Sequence, residues 1–329
     1  MGRLTISLAG VEYDRTRALF NGAVTINGCE TITLALSPEE AFHRAFRNGD
    51  FDVTELSLAS HMHLVDRGQN NYVAIPVFPS RLFRHSAIYI RSDRGIDRPQ
   101  DLRGKIVGVP EYQITAAVWV RGILEDDFGL RPSEIRWRTG GLIDPGRREK
   151  TTLALPREVD LQPIAYGQTL NNLFEAGEID ALISVIPPRS LGKNLIIRRL
   201  FEDYRAVEED YFRRTRIFPI MHVIGIRKVL AARHPWLPVN VYNAYLEAKK
   251  LCYYNNEKLG HLYTTLPWAV DELERTRSLM GQDFWSYGIS TNREELETIG
   301  RYMCSQGLTT RQLVPEDIFF ASTLELAKT

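Results

Sequence analysis

Cysteine is nearly absent from this chain: Cys29, Cys252 and Cys304 are the three in 329 residues. An odd number at wide spacing makes neither a disulfide framework nor a metal knuckle. An excess of charge of one sign is lacking too, because 41 Lys+Arg balance 41 Asp+Glu. A neutral total removes the electrostatic argument for nucleic acid or an anionic membrane surface as a partner. No apolar run approaches the ~20 residues of a membrane span. The 23 Gly and 16 Pro follow no period, which excludes collagen-like and disordered classes. Lysine is scarce, since 33 of the 41 basic side chains are Arg. That bias fits genome composition as well as it fits carboxylate recognition by the planar guanidinium fork.

What is present is a globular chain, 44% hydrophobic, long enough for roughly two domains. The opening segment, Met1 to Leu8, enters a strand at once, with no basic region followed by an apolar stretch and a small-residue cleavage site. The expected compartment is the cytoplasm.

Strands are expected at Leu4 to Leu8, Ile32 to Leu36, Phe51 to Leu56, Tyr72 to Val77 and His85 to Arg91. Between them, Ser37-Pro38-Glu39-Glu40 has the N-cap, N1 proline and N3 glutamate of a helix start, and Asn48-Gly49 ends that helix. A further helix is expected from Ser60 to Arg67. Strand and helix alternate, which implies an α/β fold with mainly parallel sheets. After Ser92-Asp93-Arg94-Gly95 the alternation resumes: strands at Ile106 to Val109, Ile135 to Thr139 and Ala181 to Val185, helices at Ile114 to Phe128 and Leu170 to Phe174. Pro145 to Pro163 reads as an irregular loop insertion, Ile217 to Ile226 as a long return strand. Beyond it, helices are expected at Val239 to Leu251 and Arg293 to Tyr302. The placement of the two flanking strands predicts one lobe from 1–91 plus 217–329 and a second from 92–216.

Asp101-Leu102-Arg103-Gly104-Lys105-Ile106-Val107-Gly108-Val109 resembles the start of the second lobe in type II periplasmic-binding-protein folds, and Gly177-Glu178-Ile179-Asp180-Ala181 a later step of it. More specific segments are Phe83-Arg84-His85-Ser86-Ala87-Ile88-Tyr89, Val109-Pro110-Glu111-Tyr112-Gln113 and Ile217-Phe218-Pro219-Ile220-Met221-His222. With Ser60-His61-Met62-His63 and Tyr287-Gly288, they resemble the 4,5-dihydroxyphthalate decarboxylases of bacterial phthalate catabolism, over nearly the whole chain. The resemblance implies two lobes, each a mixed, mostly parallel sheet flanked by helices, with a ligand cleft between them. It also implies non-oxidative loss of one ring carboxylate, giving protocatechuate and carbon dioxide.

That chemistry needs a proton donor for the ring carbon that loses its carboxylate, a base for a ring hydroxyl, and a cationic or N–H clamp for the carboxylate that stays. No cofactor is expected, because the hydroxylated ring takes up the developing charge. The expected partner is a small aromatic dicarboxylate, with no nucleic acid and no membrane; self-association is left open. In open α/β sheets the ligand-facing positions follow the carboxyl ends of strands. His85, His222 and Glu12 are accordingly the candidates for proton transfer. Arg84, Arg81, Tyr112, Thr115, His61 and Ser57 are the candidates for holding the substrate. Each has a structural alternative: a buried, hydrogen-bonded histidine, a helix-capping carboxylate or threonine, a surface arginine. His61 and His63 are not expected to share a metal, because an i, i+2 pair on a helix diverges by about 200°, leaving His61 at the core face and His63 pointing away.

Three other readings compete. A solute-binding protein for an aromatic acid would share the fold and do no chemistry. Other cytoplasmic enzymes on this fold, of menaquinone or thiamin-pyrimidine synthesis, would share it too; the latter's cysteine-rich iron site has no counterpart here. A related hydroxylated aromatic diacid could replace 4,5-dihydroxyphthalate as substrate.

Overall fold

The computed structural model describes residues 2–258 and 260–326. Met1 and 327–329, the outer limits of the first expected lobe, lie outside them, as does Leu259. The chain divides into two compact units, Met1–Arg81 with Ile220–Glu297 and Val314–Thr329, and Leu82–Pro219 with Thr298–Leu313.

The strands are β1 (Leu4–Gly10), β2 (Cys29–Ala35), β3 (Val53–Ser57), β4 (Tyr72–Ile75), β5 (Ile88–Arg91), β6 (Ile106–Val109), β7 (Arg136–Thr139), β8 (Leu161–Pro163), β9 (Ala181–Ile183), β10 (Ile197–Arg199) and β11 (His222–Arg227). Among the described residues, the first unit holds a five-stranded sheet in the order β2-β1-β3-β11-β4. β2 and β3 run parallel to β1, while β11 enters antiparallel between β3 and β4. All five residues of β3 are buried, as expected of a strand in the middle of a sheet covered on both faces. Ile6, Leu8, Val53, Leu56, Ala74, Val223 and Ile226 form the core on these strands.

The helix Pro38–Asn48 begins where Ser37 accepts a hydrogen bond from the Glu40 amide and ends at Gly49, whose φ of 67° is left-handed. Only a residue without Cβ takes that conformation at little cost.

The second unit holds a six-stranded sheet, β10-β5-β9-β6-β7-β8. Here β6 to β9 are parallel and β5 is antiparallel to both its neighbours. Leu170, Phe174, Ile179 and Leu182 pack the core beside β9.

Several boundaries differ from the sequence expectation. Residues 82–91 belong to the second unit, because β5 is hydrogen-bonded to β9 and β10. Residues 298–313 join that unit as well: Arg301 and Tyr302 bond to Asp126, and Gln306 bonds to Arg121. The long return strand is shorter than the apolar run Ile217 to Ile226, starting at His222. Pro219 lacks the N–H that a ladder requires. His85–Ala87 is a 3-10 turn rather than strand, closed by the Ala87 amide on the Arg84 carbonyl at 3.1 Å. The charged helices Tyr204–Thr215 and Ala269–Met280 had no apolar stripe strong enough to announce them.

Candidate active site

In the first unit, one end of the sheet collects several candidate side chains. β1 and β3 finish there and β11, running the other way, begins there. Glu55 lies at the centre of β3, 1% exposed in a strand whose every residue is buried. A carboxylate so placed must be met by donors or it is costly to bury. Three converge on it. The Val11 amide donates to Oε2 at 3.1 Å, the Tyr13 hydroxyl to Oε1 at 2.9 Å, and His222 Nδ1 sits 2.6 Å from Oε1.

The ladder explains the histidine contact. His222 stands opposite Ser57, and Glu55 is its diagonal neighbour on the same face of the sheet, a separation that a glutamate side chain can span. The His222 ring is also set edge-on against Phe42, with centroids 4.8 Å apart. Its main chain is pinned by its amide on the Ser80 carbonyl. The imidazole is therefore oriented from two sides and keeps 16% side-chain exposure. A Cβ at Gly10 would come within 3.3 Å of Glu55 Oε2, so glycine there leaves the carboxylate its room.

Tyr13 and Arg15 are presented by a tight turn after β1. The Thr16 hydroxyl accepts from the Tyr13 amide and donates to the Val11 carbonyl, both at 2.9 Å. Burial, reinforced by the Glu55 charge, pushes the Tyr13 hydroxyl far above the ordinary phenol range, so it stays a donor. Glu12 points elsewhere: it is exposed and paired with Arg17 at 3.3 Å.

Within the first unit the structure brings His222 and Ser57 together, with Glu12 on the adjoining turn; Arg84, His85, Tyr112 and Thr115 belong to the second unit. Arg81 is buried in the first unit against Glu295 at 3.5 Å, the Ser286 carbonyl at 2.8 Å and Asn292. His61 is buried on the helix Leu58–Asp66, and burial, with the Lys228 charge, lowers its pKa to about 4. His63, expected to point away, is buried on the same helix.

In the second unit, His85 is lodged against the rings of Phe201 and Tyr211, at centroid distances of 5.5 and 5.2 Å. Neither of its ring nitrogens has a hydrogen-bond partner among the described residues. Burial holds it neutral with a pKa of about 4, an environment ill suited to a proton donor at neutral pH. Arg84 is buried and lowered to about 10, with the Glu208 charge opposing that shift. Thr115 is the first residue of the helix Thr115–Phe128 rather than its cap, a position taken by Ile114.

Tyr112 is buried under the Arg121 guanidinium, 3.6 Å above its ring. The neighbouring Glu111 binds Arg147 and Lys150, each at 2.6 Å, and Glu149 accepts from the Tyr112 and Gln113 amides. The segment expected as a loop insertion is therefore tied down by its own charges. Burial, with repulsion from Glu111, raises the Glu149 pKa to about 7.

Glu55 was not singled out by the sequence. The available signal was a carboxylate at the centre of a strand otherwise suited to burial.

No family model matches the chain, but curated proteins do. It is 43% identical over 329 residues to a 4,5-dihydroxyphthalate decarboxylase of Comamonas testosteroni, covering 100% of both chains. It is 44% identical over 214 residues to one of Pseudomonas putida, covering 65% of this chain and 83% of that protein. Among solved structures, the alkanesulfonate-binding protein SsuA of Xanthomonas axonopodis pv. citri superposes with a TM-score of 0.55 at 12% identity, covering 97% and 98% of the two chains. The periplasmic aliphatic sulphonate binding protein SsuA of Escherichia coli gives 0.53 at 14%, covering 100% and 95%. At such identities the structures establish a periplasmic-binding-protein-like fold and nothing about ligands. The full-length sequence identity goes further: this chain belongs to the 4,5-dihydroxyphthalate decarboxylase family.

Proposed function

We propose that this chain is a carboxy-lyase that converts 4,5-dihydroxyphthalate to protocatechuate and carbon dioxide, acting in the cytoplasm. The observation that carries the reading at the level of residues is the His222–Glu55 contact of 2.6 Å at the end of the sheet where strands finish. A carboxylate holding one imidazole nitrogen fixes the ring's orientation, leaving the other nitrogen to exchange a proton with substrate.

In the reaction, a proton adds to the ring carbon bearing the leaving carboxylate. The bond from that carbon to the carboxylate breaks, its electron pair restores the aromatic ring, and carbon dioxide departs. His222 Nε2 is the donor in this reading, Glu55 its positioning residue, and Tyr13 a fixed hydroxyl. Electron density for the step comes from the ring hydroxyl para to the carbon being protonated. No helix among the described residues is long and apolar enough to cross a membrane; the partner is a small aromatic acid.

The test is incubation of the purified chain with 4,5-dihydroxyphthalate in deuterium oxide. Protocatechuate in molar excess over protein, carrying one ring deuterium, is the expected result. Binding of the diacid with no product would favour the solute-binding reading.

A further inference from the structure

We propose that Arg15 is the residue that holds the carboxylate retained by the substrate, an inference that rests on the decarboxylase reading of the same site. The clamp expected of Arg81 is not available there, since that guanidinium is buried against Glu295, Ser286 and Asn292. Arg15 stands two residues after Tyr13, on the same Thr16-closed turn that follows β1.

Its guanidinium packs against two rings, with Cζ 4.1 Å from the Tyr13 centroid and 3.9 Å from that of Trp285. The Trp285 ring is itself fixed, its Nε1 donating to the Phe78 carbonyl at 2.9 Å. Arg15 Nε donates to the Pro79 carbonyl at 2.7 Å and Nη1 to Asp14 at 3.0 Å. Among the hydrogen bonds of the described residues, Arg15 donates through Nε and Nη1 and not through Nη2.

The side chain is 15% exposed, whereas its one carboxylate partner, Asp14, is 49% exposed. An exposed partner of this kind contributes little and is easily outcompeted. The result is a flat cation packed on two rings and tied by Nε to the Pro79 carbonyl, its orientation fixed before any ligand arrives, with donors left on one edge. Tyr13 links it to the reacting end: one face of that ring carries Arg15, and its hydroxyl carries the Glu55 oxygen that also holds His222. A planar dicarboxylate suits such a cation because a carboxylate matches the guanidinium fork and the entropy of ordering the side chain has been spent in folding.

The experiment is calorimetric titration of the full chain with two fragments of the substrate. Phthalate carries the ring carboxylates without hydroxyls, and catechol the hydroxyls without carboxylates. Arg15→Gln should weaken phthalate binding by roughly ten- to a hundredfold and leave catechol affinity unchanged. In turnover it should raise KM for 4,5-dihydroxyphthalate by a similar factor with kcat within about threefold. Trp285→Leu, which releases one face of Arg15 without removing the cation, should give a smaller loss in the same direction.

Equal losses for both fragments would mark Arg15 as a structural residue and overturn the proposal. So would phthalate binding within twofold of wild type in Arg15→Gln. If wild type binds phthalate in an Arg15-dependent way but releases no carbon dioxide, the decarboxylase reading fails while the clamp stands. A wild type that binds no phthalate overturns the clamp.

Discussion

His222 Nδ1 and Glu55 Oε1 lie 2.6 Å apart across two antiparallel strands, although 167 residues separate them in sequence. The contact is diagonal, because His222 is paired with Ser57 and Glu55 stands one position further along the same face. A buried carboxylate that shares one oxygen between an imidazole and the Tyr13 hydroxyl is a rigid arrangement. Neither donor can leave without exposing the charge to an apolar core.

His222→Asn should lower kcat by about 10²- to 10⁴-fold with KM little changed, the range for loss of a general acid. Glu55→Gln, which keeps shape and removes charge, should lower kcat in the same direction by less. The deciding measurement is the double variant. If Glu55 acts only through His222, the pair should be no slower than His222→Asn alone. Multiplying effects would show two independent roles.

The alternation of elements, the helix start at Ser37-Pro38 and the stop at Gly49 were legible in the sequence because each is a local signal. The family segments around His85 and His222 were legible too. Glu55 was hidden for a physical reason. Strand patterning reports burial, and a buried glutamate looks like a defect until its donors are known; these come from Val11, Tyr13 and His222, none of them near in sequence. Arg15 was hidden by its neighbours, since Glu12, Asp14 and Arg17 make the turn read as a solvated charge run. His85, a titratable residue in a family-specific segment, is enclosed by aromatic rings that the sequence did not place beside it.

Gly122→Ala should destabilise the second unit by about 2 kcal/mol or more, opposite in sign to the usual gain from replacing a helical glycine. The added Cβ would fall 2.2 Å from the Tyr302 ring. That ring cannot easily swing away, because its hydroxyl is bonded to Asp126 at 2.6 Å. Thermal unfolding of the variant measures the cost. A melting temperature equal to or above wild type would mean the two helices separate freely.

Acid should weaken the fold through His85. Its folded pKa of about 4 lies below the unfolded value of about 6.5. Between those values the unfolded chain takes up a proton that the folded one refuses. The stabilising difference is fully present above pH 6.5 and is lost as pH falls towards 4, on the order of 3 kcal/mol in all. His85→Phe removes the titration while keeping a ring against Phe201 and Tyr211. Urea midpoints from pH 7 to 4.5 should fall less steeply in this variant than in wild type; parallel slopes would assign the acid sensitivity elsewhere.

On the alkaline side the sign reverses at Glu149. Burial is the main cause that raises its pKa to about 7, and the Glu111 charge adds to it, while the Tyr112 and Gln113 amides and Arg121 oppose. Because the folded pKa exceeds the unfolded value of about 4.3, the stabilising difference is complete below that lower value. It is lost as pH rises through 7, when the buried carboxyl must ionise. Glu149→Gln removes the ionisation at the cost of an imperfect acceptor, since one carboxyl oxygen becomes an amide facing N–H donors. Losing such a bond costs on the order of 1 kcal/mol. The variant should therefore melt below wild type at pH 5, and the gap should narrow or reverse by pH 8. A pH-independent gap would mean that Glu149 is already ionised at pH 5, with Lys150 and Arg147 neutralising it rather than Glu111 alone.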